Sequence, residues 1–164
     1  MTHRAMIGVG SNIGPATENC EKAISLINKS GTTKVIAQSS LYQSEPVGKT
    51  DQPWFINAAI EVDTTLTPEE LLTFLINIEQ EFGRIRDEKW GPRVIDLDIL
   101  DYDGRIINSR TLTLPHPEMT GRRFVLEPLS EIAGTTIHPL RNKTIQDLLK
   151  ELPQDPVVKK LQAL

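Results

Sequence analysis

One cysteine in 164 residues, Cys20, permits neither an internal disulfide nor a cysteine-rich metal site, and it fits a reducing compartment. No run approaches the roughly 18 apolar residues of a membrane span. The opening Met-Thr-His-Arg-Ala-Met lacks the apolar stretch of a secretory leader, so a cytoplasmic protein without membrane attachment is expected. Aromatics are scarce at 5% and the net charge is -4, which argues against a stacking platform or a basic field for nucleic acid. Gly8 to Gly14 matches neither GxGxxG nor GxxxxGK[ST], so no P-loop is present and the glycines read as a tight strand-to-helix turn.

What remains is an ordinary globular composition, 38% apolar and 24% charged, of a length that suits a single domain over 1–164; a monomer is the expectation, though length does not supply it. Met6–Gly10 reads as a strand, and Cys20, Ala23, Ile24 and Ile27 recur at helical spacing between Pro15 and Gly31. Thr33–Tyr42 reads as a second strand leading into a loop over Gln43–Gly48. Phe55–Val62 alternates with period two, which puts Phe55 and Asn57 on one face. Thr67-Pro68-Glu69-Glu70 opens a capped helix that ends near Gly83, with Glu79 inside its apolar arc and in need of a partner there. Val94–Leu100 is a strand, Asp103-Gly104 a hairpin signal with Ile106-Ile107 returning as an edge strand, and Thr144–Leu152 a capped helix. The order βαββαβ predicts an α+β, ferredoxin-like sandwich with helices on one sheet face and C-terminal helical and hairpin additions.

Asp96 and Asp98 are two apart on a strand, so both carboxylates share a face while Leu97 and Ile99 take the core side. Hard oxygen ligands without His or Cys suit Mg²⁺ completed by water and phosphates. The same acids would also be satisfied by Arg84, Arg86 or Arg93, or by a solvated face. Between Arg105 and Arg123, four arginines and His116 face one acid, Glu118, a local excess that suits a small polyanion. Arg122-Arg123 with His116 is a candidate anionic clamp. Phe55 offers a ring to stack on a flat ligand and Asn57 an amide to read its edge.

The stretch Lys89-Trp90-Gly91-Pro92-Arg93-Val94-Ile95-Asp96-Leu97-Asp98-Ile99-Leu100 resembles the signature of the 6-hydroxymethyl-7,8-dihydropterin pyrophosphokinases. Gly10-Ser11-Asn12, Asp51-Gln52-Pro53, Asn57-Ala58-Ala59, Glu79, Gly83-Arg84-Ile85-Arg86, Leu114-Pro115-His116-Pro117 and Arg122–Phe124 follow in the order of that family. The last 25 or so residues resemble nothing diagnostic. The resemblance implies attack of the pterin hydroxymethyl oxygen on the β-phosphorus of ATP, with AMP leaving. It implies Arg84, Arg93, Asp96 and Asp98 as catalytic residues, with Asp96 and Asp98 holding two Mg²⁺ ions. By the same resemblance Phe55 and Phe124 sandwich the pterin, Asn57 reads its edge, and Ser44 and Val47 complete that pocket through their backbones. Glu79, Arg84, Arg86, Trp90, Arg93, Ile99, Thr113, His116, Pro117 and Arg122 line the ATP side, and Gly83–Arg93 acts as a lid. Three positions depart from the pattern. Phe55 stands where Tyr is also common, Thr111 where an Arg is frequent (with Arg110 one place earlier), and Glu45 where a second Pro can occur. From residue chemistry alone, a metal-dependent phosphoester hydrolase and a non-enzymatic ligand-binding regulatory module are the rival expectations.

Overall fold

The computed structural model describes residues 1–46, 51–83 and 94–162. Its elements are β1 (His3–Ser11), α1 (Ala16–Asn28), β2 (Thr33–Gln38), β3 (Leu41–Ser44), β4 (Phe55–Thr64), α2 (Pro68–Glu81), β5 (Asp96–Tyr102), β6 (Ile107–Asn108), β7 (Thr113–Leu114), α3 (Arg123–Ala133), α4 (Ile145–Lys150) and β8 (Val158–Gln162). The main sheet runs β5-β1-β4-β3-β8 with β2 paired to β4, and each of these pairings is antiparallel. The expected βαββαβ order is present, with β2 and β3 together in the place of its second strand.

Helix α2 starts as the sequence dictates: Thr67 Oγ1 accepts from the Glu70 N–H at 3.2 Å and Glu70 answers by accepting from the Thr67 N–H at 2.9 Å, with Pro68 in the first turn. Its Leu71, Leu75 and Ile78, with Cys20, Ala23, Ile24 and Ile27 of α1, pack on Ile7, Val9, Ala58, Ile60, Leu97 and Ile99. That is the principal core, and it covers one face of the sheet.

The other face departs from expectation. It is not left to solvent, because α3 and α4 lie against it and bury Leu126, Leu129, Ala133, Ile145 and Leu148 with Met6, Ala59 and Leu100. Helix α3 was not expected from the sequence; it carries Pro128 inside it, and its Leu126, Leu129 and Ala133 recur at helical spacing and are buried. The predicted strand Thr33–Tyr42 is divided at Ser39-Ser40, where β4 exchanges one antiparallel partner for the next and Ser39 Oγ accepts from the Ala59 N–H at 2.9 Å. Gln43 and Ser44, expected in a loop, stay in β3 because β8 pairs along its outer edge. Asp103 and Gly104 both take positive φ, 55° and 66°, as a hairpin turn requires. The chain after that turn does not return along β5; β6 pairs with β7 instead.

Candidate functional site

Three neighbouring strands bring the site together. In register, Gly10 of β1 lies between Asp96 of β5 and Asn57 of β4, and Gly8 lies between Asp98 and Ala59. Directly paired residues project to the same face, so the Asp pair and the Asn57–Phe55 wall stand on opposite sides of Gly8 and Gly10, which put no side chain between them. Two strand spacings set the width of this trough at about 9–10 Å. The bareness matters most at Gly10, where a Cβ would come within 3.2 Å of Asn57 Nδ2 and 3.9 Å of the Phe55 ring, whereas at Gly8 it would meet only Leu100 at an ordinary 3.7 Å. These two glycines, expected in a turn, are a floor between the walls; Gly14, at φ 69°, is the turn residue. A glycine inside a strand pattern signals close backbone approach, and that was the available clue.

Asp96 and Asp98 are half-buried, while Leu97 and Ile99 between and beyond them are 4% exposed in the core. Glu79, 2% exposed, accepts from the Leu97 N–H at 2.8 Å and so pins the peptide between the two acids. Ile99 has its side chain in the core, which leaves only its main chain for a ligand. Among the described residues no group of three or more His, Cys, Asp or Glu side chains converges on a metal position. Two carboxylates on one rigid strand fit a hard divalent cation that takes the rest of its shell from water and phosphate oxygens.

Ser44 Oγ donates to Asn57 Oδ1 at 2.5 Å, which fixes the amide and turns Nδ2 over Gly10 into the trough. Asn12 Nδ2 donates to Gln52 Oε1 and to the Pro53 carbonyl, both at 2.9 Å, joining the Gly-Ser-Asn segment to the Asp51-Gln52-Pro53 segment. Phe124 opens α3, which packs over β4 and β3 on the same face as Phe55. The Arg122 guanidinium lies 5.6 Å from the Phe124 ring centroid and pairs with Glu118 at 2.8 Å.

His116 Nδ1 accepts from the Glu118 N–H at 3.2 Å, so the neutral ring carries its proton on Nε2. Burial and then the charge of Arg122 push His116 below its ordinary value, outweighing Glu118 and Asp96. It is therefore neutral at pH 7 beside the Asp pair. Thr113 in β7 and Pro117, which follows His116 in the chain, are both exposed. The basic segment does not act as one patch. Arg105 stacks toward Tyr102, and Arg123 is taken by Glu127 at 3.0 Å and the Pro153 carbonyl at 3.3 Å, so Arg123 does not join the expected clamp. Val47, Arg84, Arg86, Trp90 and Arg93, with the Arg84–Arg93 part of the expected lid, lie outside the described residues.

Fold and site together give a ferredoxin-like α+β domain in which an acidic wall faces an aromatic-amide wall. The model of the 7,8-dihydro-6-hydroxymethylpterin-pyrophosphokinase family matches residues 6–134. A 2-amino-4-hydroxy-6-hydroxymethyldihydropteridine pyrophosphokinase of Methylorubrum extorquens is 42% identical over 149 residues, 91% of this chain and 93% of the relative. The Haemophilus influenzae protein of the same name is 39% identical over 155 residues, 94% and 96% of the two chains. Among solved structures, a Plasmodium falciparum HPPK-DHPS with pterin and p-hydroxybenzoate superposes with a TM-score of 0.75 at 18% identity, over 92% of this chain and 42% of that longer one. This chain belongs to the 7,8-dihydro-6-hydroxymethylpterin-pyrophosphokinase family.

Proposed function

We propose that this protein transfers pyrophosphate from ATP to the hydroxymethyl group of 6-hydroxymethyl-7,8-dihydropterin, giving the pterin diphosphate and AMP for folate biosynthesis. The observation that carries the reading is the trough, in which Asp96 and Asp98 face Asn57 and Phe55 across Gly8 and Gly10. A flat heterocycle stacked on Phe55 and held at its edge by Asn57 extends a short arm toward the acids over a floor with no side chain in the way. Such a transfer needs in-line placement of the attacking oxygen more than a covalent protein group.

Asp96 and Asp98 would hold divalent metal, two Mg²⁺ ions in our reading. When bound, the metal supplies charge neutralisation on the triphosphate. Glu79 keeps the two acids at fixed separation through Leu97. His116, neutral with its proton on Nε2, and Arg122 lie on the side where phosphate oxygens would sit. Phe124 closes the pterin from the α3 side. Arg84, Arg86, Trp90 and Arg93 are assigned to the nucleotide, and Ser44 and Val47 to the pterin, on the sequence pattern. One domain acting as a monomer on these two small substrates, without nucleic acid, completes the proposal.

Mass-spectrometric product analysis tests it, with ATP, the pterin and Mg²⁺ and with each left out in turn. AMP and a pterin diphosphate formed only in the complete mixture are expected. ADP with a pterin monophosphate would change the reaction, and ATP breakdown without pterin would move the site to the hydrolases.

A further inference from the structure

Glu45, where the family pattern allows a second proline, sits immediately after β3 and makes two bonds to one residue of the C-terminal segment. Its Oε1 accepts from the Val157 N–H at 2.5 Å, and its own N–H donates to the Val157 carbonyl at 3.1 Å. The ladder continues from there, with Ser44 opposite Val158 and Gln43 opposite Lys159. Lys159 then reaches Trp54, its Nζ 5.9 Å from the ring centroid, and Trp54 directly precedes Phe55. The same short strand thus meets the chain beside Ser44 and again beside Phe55, the two residues that flank Asn57 in the trough wall. Proline at position 45 would have no N–H for the Val157 carbonyl and no carboxylate for the Val157 N–H.

We propose that Glu45 is a positioning residue for pterin: clasped to Val157, it holds the end of β3 so that Ser44 keeps the Asn57 amide in the orientation that reads the ring edge. The inference rests on the assignment of Ser44, Phe55 and Asn57 to the pterin given above. β3 is only four residues long, and its outer edge is covered by β8. A short edge strand without its outer partner loses its register easily. The Ser44–Asn57 bond tolerates little of that movement, because a hydroxyl–amide bond is lost within a few tenths of an ångström to an ångström of displacement. The clasp lies on the pterin wall and not on the Asp wall, so its effect falls on one substrate.

The test uses the full chain with Glu45→Ala, Glu45→Gln and Lys159→Ala, reading kcat, the KM of each substrate and the melting temperature. Glu45→Ala is expected to raise the pterin KM about tenfold, as for loss of one hydrogen bond that leaves the Val157 N–H without its acceptor, with the ATP KM within about twofold. Glu45→Gln keeps a side-chain oxygen acceptor and is expected to recover most of that loss. Lys159→Ala, exposed and remote from the core, is expected to raise the pterin KM about twofold and keeps the inference open to refutation if Glu45→Ala does not fold. An unchanged pterin KM in both Ala variants, or equal losses on both substrates with no rescue by Gln, overturns it. A wild-type chain that makes no pterin diphosphate would remove the underlying assignment and this inference with it, whereas normal wild-type turnover with unaffected variants removes this inference alone.

Discussion

Replacing Asp98 by Ala takes one carboxylate from the acidic wall and leaves Leu97 and Ile99 in the core, so chemistry and folding separate at this position. Turnover is expected to fall by about two to three orders of magnitude at saturating Mg²⁺, with a cooperative melt retained. Activity titrated with Mg²⁺ beside a thermal melt checks both halves, and near-normal turnover would remove Asp98 from the site. Gly10 and Gly8 make a matched pair of tests on the floor. A Cβ on Gly10 meets Asn57 Nδ2 at 3.2 Å, whereas one on Gly8 meets Leu100 at an ordinary 3.7 Å. Gly10→Ala is expected to raise the pterin KM about tenfold and Gly8→Ala to change it less than about twofold; equal effects would show that the floor does not bear on the ring. The Asp pair and the Phe55–Asn57 pair were legible in the sequence because period two alone assigns a residue to a face. The role of the glycines was not, because it depends on what β4 and β5 place on either side of them.

Elements were legible where their signals are local. The Thr67 capping box, the Thr144 cap and the alternation of Phe55–Val62 each involve residues within a few positions of one another, and each is found where the sequence puts it. Helix α3 and strand β8 were missed for a common reason: what holds them is distant in sequence. Ser40 and Tyr42 bind Glu131 of α3, the Tyr42 hydroxyl donating at 2.7 Å, the Ser40 hydroxyl at 2.9 Å and the Ser40 N–H at 3.0 Å. Burial opposes the Glu131 charge, but these three donors, with the charge of Lys160, outweigh it and hold the carboxyl below its ordinary 4.5. A carboxyl lowered in the native state adds stability that is present above its ordinary value and is lost as pH falls through the lowered one. Glu131→Ala is therefore expected to cost about 1–2 kcal/mol at pH 7, discounted for its partial exposure, and progressively less below pH 4.5. Urea denaturation of both proteins at pH 7 and pH 3.5 measures the difference, and a gap that does not narrow in acid would rule out the carboxylate as its source.

At the scale of the molecule, the α+β class followed from element order, but the burial of both sheet faces did not, since it needs α3 and α4. Both helical layers share the same strands: on β1, Ile7 and Val9 face α1 and α2, while Met6 packs with α3 and α4 on the other face and Gly8 and Gly10 floor the trough there. A sheet packed on both sides is expected to open as a unit, and Cys20 reports on that. Its thiol is fully buried between α1 and the sheet, and burial, with a smaller contribution from Glu21, pushes it up to about 12. Thiolate is the reactive form, so native Cys20 is closed to reagents by both access and ionisation. Labelling in buffer then proceeds through opening of the principal core, at a rate lower than in urea by a factor on the order of 10³ or more for a marginally stable domain. Addition of Mg²⁺–ATP and pterin is expected to slow it further, because ligands that bind only the folded state multiply the closed population. If labelling in buffer is within about tenfold of that in urea, or is indifferent to both substrates while they bind, α1 detaches locally and the two layers do not open together.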